Sequence, residues 1–210
     1  KRQISLTDEK RIGSNIYKNL QKSNYIINNI LVSDYISYLG NKLSRNISKD
    51  RKYVFFVTRS KSVNAFAVPG GYIGLNAGLI TLTENEAQLA GVVAHELAHI
   101  LGGHVFRTSE EISNISGKAM PIYLLGIIGL ITGAADAGFA GVMVGQAAVT
   151  DTFTYHSRTQ EAAADQKAVS IMCSSMIDAS YLASFLESLD ASTPNMKTQA
   201  KDYRSTHPLP

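Results

Sequence analysis

Cysteine is all but missing from this 210-residue chain, where Cys173 stands alone. An intrachain disulfide is therefore excluded, and so is a metal site built from several thiolates. A solitary cysteine of this kind is expected to be a small, buried apolar residue. Strong charge is missing as well: the formal net charge is +3, and most of the basic residues are scattered along 1–62 and 197–204. That pattern reads as ordinary solvated surface and excludes a nucleic-acid footprint. No internal repeat is present, and no signal-like apolar run follows Lys1, so a processed or trimmed chain is expected. The ending "STHPLP", with two prolines and no closing element, suggests a natural protein that continues. A long unbroken apolar run is also lacking. From Ala119 to Ser157 there is no Lys or Arg, but six glycines and Asp136 interrupt the apolar stretch 119–149, and a spanning helix needs about 20 apolar residues.

What remains is ample for one domain with a substantial core, since 45% of the residues are hydrophobic. Residues 7–46 carry helical spacing, with Ile12, Ile16 and Leu20 in one run and Tyr35, Ile36, Leu39 and Leu43 in another that Ser33 is placed to cap. From 53 to 80 the period changes. "YVFFVT", "NAFAV" and "PGGYIGLNAGLI" predict two or three strands in a small antiparallel sheet. Thr83 and Glu86 then form a capping box for the next helix, and two more helices are expected over about 157–177 and 179–190. Helices around a small sheet make the fold class α+β.

The chemistry is concentrated in "VVAHELAHILGGHV", residues 92–105. His95, Glu96 and His99 form H-E-x-x-H, which on a helix sets two imidazoles one turn apart to bind zinc, with Glu96 as general base. A third protein ligand has to come from elsewhere. His104 is close by, but on an unbroken helix it points about 180° away from His95. It serves as a ligand only if Gly102 and Gly103 break the helix, and a histidine hydrogen-bonded at the helix end is the simpler reading. The segment "SRTQEAAADQKAV" offers Glu161 and Asp165 four apart on one helical face. Alone that spacing is usually a solvated acidic face. Downstream of H-E-x-x-H it supplies the carboxylate that completes a two-His, one-Glu site, with Asp165 suited to orient a ligating imidazole from behind.

"VNAFAVPGGYIGLNAGLI", "EAQLAGVVAHELAHILGGH", "SRTQEAAAD" and "STHPLP" together resemble the zinc metallopeptidase family that includes HtpX and the CAAX prenyl endopeptidase, and the likeness extends to the N-terminal "ISLTDEKRIGSNIYKNL". The resemblance implies a mostly helical, zincin-like domain spanning 1–210, with zinc held by His95, His99 and Glu161 and with Glu96 as catalytic base. The family often carries E-x-E-A-D where this chain has Ala163 in the middle position; that residue is no ligand, so no loss of metal is expected. The likeness is strongest to soluble periplasmic members. It implies unfolded or misfolded polypeptide substrates, a role in outer-membrane protein quality control with possible chaperone activity, contact with the outer-membrane assembly machinery, and a repeat domain following Pro210. His207 is either a bland turn residue beside a proline or, in this family context, a group that reaches the metal as an inhibitory ligand or a stabiliser of the oxyanion.

Three further readings stay open at this level. The 63–80 strands either offer an edge for an extended substrate, with Gly70, Gly71 and Gly74 permitting close approach of its backbone, or form a plain core hairpin. The apolar 119–149 segment is a helical hairpin that covers the site or touches a membrane surface, a buried core pair, or a transmembrane span. The rival functions are a zinc-containing chaperone without proteolysis, which the presence of Glu96 argues against, and an integral membrane protease that would use 119–149 as its span.

Overall fold

A computed structural model describes residues 6–47, 51–103, 158–191, 203 and 207. Helix α1 spans Leu6–Lys22 and α2 spans Ile30–Ser44. Three short strands follow, β1 (Val54–Thr58), β2 (Ala65–Val68) and β3 (Tyr72–Asn76). They lead into α3 (Ala77–Leu82) and α4 (Glu86–Leu101), and the described order closes with α5 (Arg158–Ser174) and α6 (Ser180–Ala191). The 119–149 segment and His104 lie outside the described residues. No helix among the described residues is long and apolar enough to cross a membrane.

The mostly helical α+β architecture agrees with the sequence, but the sheet is mixed and not antiparallel. Its order is β1-β3-β2. Pro69, Gly70 and Gly71 make the tight turn of a β2–β3 hairpin, with Val68 opposite Tyr72 and Ala65 opposite Leu75. Both glycines sit at positive φ, 83° and 90°, where a side chain would be strained. The hairpin inserts β3 beside β1 in parallel, Val54 opposite Tyr72 and Thr58 opposite Asn76. The 59–64 connection must therefore pass the end of β3. A polar knot holds it there: Thr58 Oγ1 donates to Asn76 Oδ1 at 2.7 Å, and Asn76 Nδ2 donates to Ser62 Oγ at 2.7 Å.

Asn76 also marks where strand becomes helix, so residues 77–80, expected to extend the sheet, are helical in α3. Thr83 consequently closes α3, its hydroxyl donating to Ile80 O at 2.9 Å, and the expected Thr83–Glu86 box does not form. The cap of α4 is Asn85, which accepts from Gln88 N at 3.0 Å while Gln88 Oε1 accepts from Glu84 N at 2.8 Å. This is the same reciprocal device displaced by two residues. Helix α2 likewise starts earlier than expected. Asn29 accepts from Leu31 N and Val32 N, and Ser33 lies inside the helix, because the first turn carries the exposed Ile30 and Leu31 instead of a buried stripe.

Two apolar layers result. The larger core gathers Ile36, Leu39 and Leu43 of α2, Phe55 and Val57 of β1, and the buried faces of α4, α5 and α6. Helix α4 is buried on every side from Gln88 to Ile100, the signature of a helix at the centre of a domain. Across the sheet, Ile12, Ile16 and Leu20 of α1 cover Phe56 and Val68, walled by Tyr17, Phe66 and Tyr72. Cys173 is exposed and not buried as expected: the buried positions of α5 are Glu161, Ala164, Ala168, Ile171 and Met172, and residue 173 follows one step round the helix.

The sheet edges differ. Residues 25–27 run along the outside of β1, with Ile27 N donating to Val57 O and Arg59 N donating to Tyr25 O, both at 2.8 Å. Among the described residues no strand pairs with the outer edge of β2. Gly70 and Gly71 meet other backbone, but it is the chain's own, from Glu9–Lys10 and Lys52; Gly74, on the central strand, lies beneath the Phe66 ring.

Helix α1 is seated on the hairpin through Gly13, where a Cβ would collide with the Pro69 carbonyl. Gly13→Ala is expected to destabilise the protein by about 1–3 kcal/mol through overpacking against rigid backbone, read as a lowered Tm; an unchanged Tm would show that α1 does not clamp the turn.

Candidate metal centre

One turn of α4 carries His95 and His99, and their rings meet edge to face with centroids 4.6 Å apart. Helix α5 packs along α4 more extensively than any other pair of elements pack together. The alanines of α5 make this closeness possible, since Ala164 and Ala168 are fully buried against the core. At the near end of α5 the buried Glu161 faces both imidazoles: Oε2 lies 3.2 Å from His95 Nε2, and Oε1 lies 3.2 Å from His99 Nε2. One turn on, Asp165 Oδ1 is 2.9 Å from His95 Nδ1. In the neutral, ligating form of His95 this contact makes Nδ1 the donor and leaves the Nε2 lone pair facing inward. Ala163 is exposed and takes no part.

His207 completes the group. Its Nδ1 lies 3.3 Å from both His95 Nε2 and Glu161 Oε2, and its Nε2 lies 3.4 Å from Glu96 Oε1. The five expected residues His95, Glu96, His99, Glu161 and His207 are all buried together, with Asp165 half-buried behind His95.

The donor set fits a metal ion. One ligand atom each from His95, His99, Glu161 and His207 falls within 4.8 Å of every other. Donors bound at about 2.1 Å to a tetrahedral ion stand roughly 3.4 Å apart; here the two Nε2 atoms lie 2.9 Å apart, His207 Nδ1 lies 3.3 Å from His95 Nε2, and the whole set stays within 4.8 Å. Glu161 Oε1 and Glu96 Oε1 are buried without a hydrogen bond among the described residues. Among those residues only imidazole nitrogens approach them, at 3.2 and 3.4 Å; a buried carboxylate oxygen so weakly satisfied is costly, and a cation between the donors would relieve it.

The electrostatics point the same way. Burial alone would discharge the His95 imidazole, but hydrogen bonds to Asp165 and Glu161, with the charges of Glu96 and Glu161, raise its pKa to about 10. Burial would raise the Glu161 carboxyl, but the imidazoles of His207, His95 and His99 outweigh it and hold the group well below the usual carboxylate range. Burial lifts Glu96, opposed by His207 and His95 and reinforced by the negative charge of Glu161. The cluster as a whole attracts positive charge.

One contributor is not among the expected site residues. Tyr203 is 1% exposed and lies against His207, ring centroids 4.7 Å apart and planes 30° apart. Burial, and then Glu96, Glu161 and Asp165, push its phenol well above its ordinary pKa, so it stays neutral. The one sequence signal for it is an aromatic residue four positions before His207, the spacing of a helical turn.

The model of peptidase family M48 matches residues 34–210. The chain is 29% identical to a putative beta-barrel assembly-enhancing protease of Vibrio cholerae, over 97% of this chain and 42% of the relative. It is also 29% identical to the beta-barrel assembly-enhancing protease of Escherichia coli K12, over 99% of this chain and 42% of the relative. A more distant likeness, 27% identity over 98% of this chain and 58% of the relative, is to the mitochondrial metalloendopeptidase OMA1 of Schizosaccharomyces pombe. The chain thus spans about half the length of these curated relatives or less.

Asp165→Asn is expected to weaken metal binding roughly 10- to 100-fold by freeing the His95 ring, and Glu161→Ala to weaken it further. Chelator competition followed by metal analysis measures both; a protein that loses its metal with His104→Ala while Glu161→Ala keeps it would overturn this ligand assignment.

Proposed function

From the premise that this chain belongs to peptidase family M48, we propose that it is a zinc-dependent endopeptidase in which His95, His99 and Glu161 hold the metal and Glu96 is the base. The observation that carries the reading is the placement of Glu96. Its carboxylate is buried next to the donor cluster, where among the described residues Oε1 makes no hydrogen bond and only the His207 imidazole approaches it, at 3.4 Å, and a purely structural metal site has no use for such a group. When bound, zinc supplies Lewis acidity, polarising the scissile carbonyl and making the attacking water more acidic. Glu96 takes a proton from that water as its oxygen bonds to the carbonyl carbon. It then delivers the proton to the amide nitrogen as the carbon–nitrogen bond breaks. Burial favours this role, because it raises the proton affinity of the carboxylate. Asp165 keeps the His95 ring in the orientation its ligand role requires.

The substrate in this reading is an extended polypeptide, added as a strand along β2. Residues 25–27 cover β1, β3 is central, and β2 packs beside α4, which bears the H-E-x-x-H residues. Only a segment free of its own structure can pair in this way, which suits unfolded or misassembled proteins. The names of the bacterial relatives point to β-barrel assembly, and we extend that to this chain as a role in outer-membrane protein quality control in the periplasm, alongside the assembly machinery. A chaperone without proteolysis is the weaker reading, since it leaves Glu96 without a purpose.

His207 has a definite part in the same scheme. Its Nδ1 faces the proposed ligands and its Nε2 faces Glu96, so on this reading one imidazole would take the place of the water and also engage the base. This reading makes it a resting, self-inhibited site.

Glu96→Gln is expected to keep the metal and the fold while lowering casein cleavage by at least ~10²-fold; cleavage at the original rate would remove the peptidase reading. His207→Ala is expected to raise the cleavage rate severalfold. A fall in rate would make His207 an oxyanion stabiliser instead, and an unchanged rate would deny it a role.

A further inference from the structure

Tyr203 is the bulkiest fully buried side chain among the described residues, and the scheme above makes no use of it. Its surroundings link the core to the metal ligands. On one side the ring meets Phe185 of α6 edge to face, centroids 5.6 Å apart and planes perpendicular. On the other it stacks with His207 in a tilted, near-parallel arrangement. The His207 amide also donates to the Tyr203 carbonyl at 2.8 Å, so backbone and ring of the histidine are both referenced to this residue. The polar contacts of the imidazole are long by comparison, 3.3 Å to His95 and Glu161 and 3.4 Å to Glu96. At that length they hold the ring orientation weakly. The flat support beneath the ring is aromatic.

We propose that Tyr203 is a positioning residue for His207: its ring, braced by Phe185, sets the imidazole plane and so the balance between the plugged and the open site. The inference rests on the plug reading of His207. It assigns the effect to the aromatic ring and not to the hydroxyl. Removing the stack while keeping bulk should free the imidazole, shift the balance toward the open state and weaken the hold of His207 on the metal by the same factor. A lost aromatic contact of this kind corresponds to about a 2- to 10-fold change.

Tyr203→Met, which fills space without a flat face, is the informative variant, with Tyr203→Phe as the rescue. On an unfolded substrate such as casein, Tyr203→Met is expected to raise kcat about 2- to 10-fold with little change in KM, because the β2 edge is untouched. Zinc loss to a chelator should quicken by a similar factor, and Tyr203→Phe should match the wild type in both measurements. In a His207→Ala background Tyr203→Met should add nothing. The inference is overturned if Tyr203→Met behaves as wild type in both, if Tyr203→Phe behaves as Tyr203→Met, or if the effect persists undiminished without His207. An unchanged rate in His207→Ala alone would remove the plug reading and this inference with it, whereas an active His207→Ala with an inert Tyr203→Met removes only this one. Should Tyr203→Met fail to fold, the wild type decides. In the metal-free protein with labelled histidine, the His207 ring protons should resonate upfield under the Tyr203 ring current, and undisplaced signals would overturn the proposal.

Discussion

The close approach of α4 and α5 is the constraint on which the rest depends. His95 and His99 come to one side of a helix by local geometry alone, but two imidazoles do not make a closed donor set. Glu161 can join them only because α5 presents small residues, Ala164 and Ala168, to a helix buried on all sides. A larger side chain at either position would hold the helices apart. The same approach puts Asp165 behind His95, so one interface supplies both a candidate ligand and the group that contacts another from behind.

That interface also carries an electrostatic cost. Glu96 and Glu161 are buried in one cluster, at opposite nitrogens of the His207 ring and close enough that the charge of Glu161 raises the Glu96 pKa, and carboxylates so placed resist ionisation unless positive charge offsets them. The imidazoles provide part of the compensation, which is why Glu161 is held ionised and His95 is driven toward its charged form. A divalent cation provides the compensation more completely. Stability and function are in this sense coupled: the arrangement that would be a liability in an empty core is suited to grip a metal.

The sheet has a different task. It is too small to be a core of its own, and it needs α1 on one face and the α2–α4 layer on the other. With residues 25–27 along β1 and β3 held in the middle, the exposed pairing capacity falls to the edge nearest α4. An unprotected edge is ordinarily an aggregation hazard; in the proposed reading it is where an extended substrate would pair.

By itself the sequence determined the elements whose logic is local. The i, i+4 spacing of His95 and His99, the like spacing of Glu161 and Asp165, the apolar stripes of Ile12–Leu20 and Ile36–Leu43, and the Pro-Gly-Gly turn all follow from backbone periodicity, and all are found where the pattern puts them. Tertiary structure decided the rest. Strand order was not legible because β1 alternates as well for a parallel as for an antiparallel neighbour, and only the crossing held by Asn76 and Ser62 selects between them. The caps at Asn29 and Asn85 were hidden because competing oxygens, Ser33 and Thr83, stand a few residues away, and the packing of the first turn chooses. Cys173 faces outward because of where α5 meets its neighbours, which composition does not record. The placement of His207 beside the residues of α4 spans more than 100 residues of chain, with His95 Nε2 lying 112 positions from its partner His207 Nδ1. No local pattern encodes a distance of that kind; folding brings the two together.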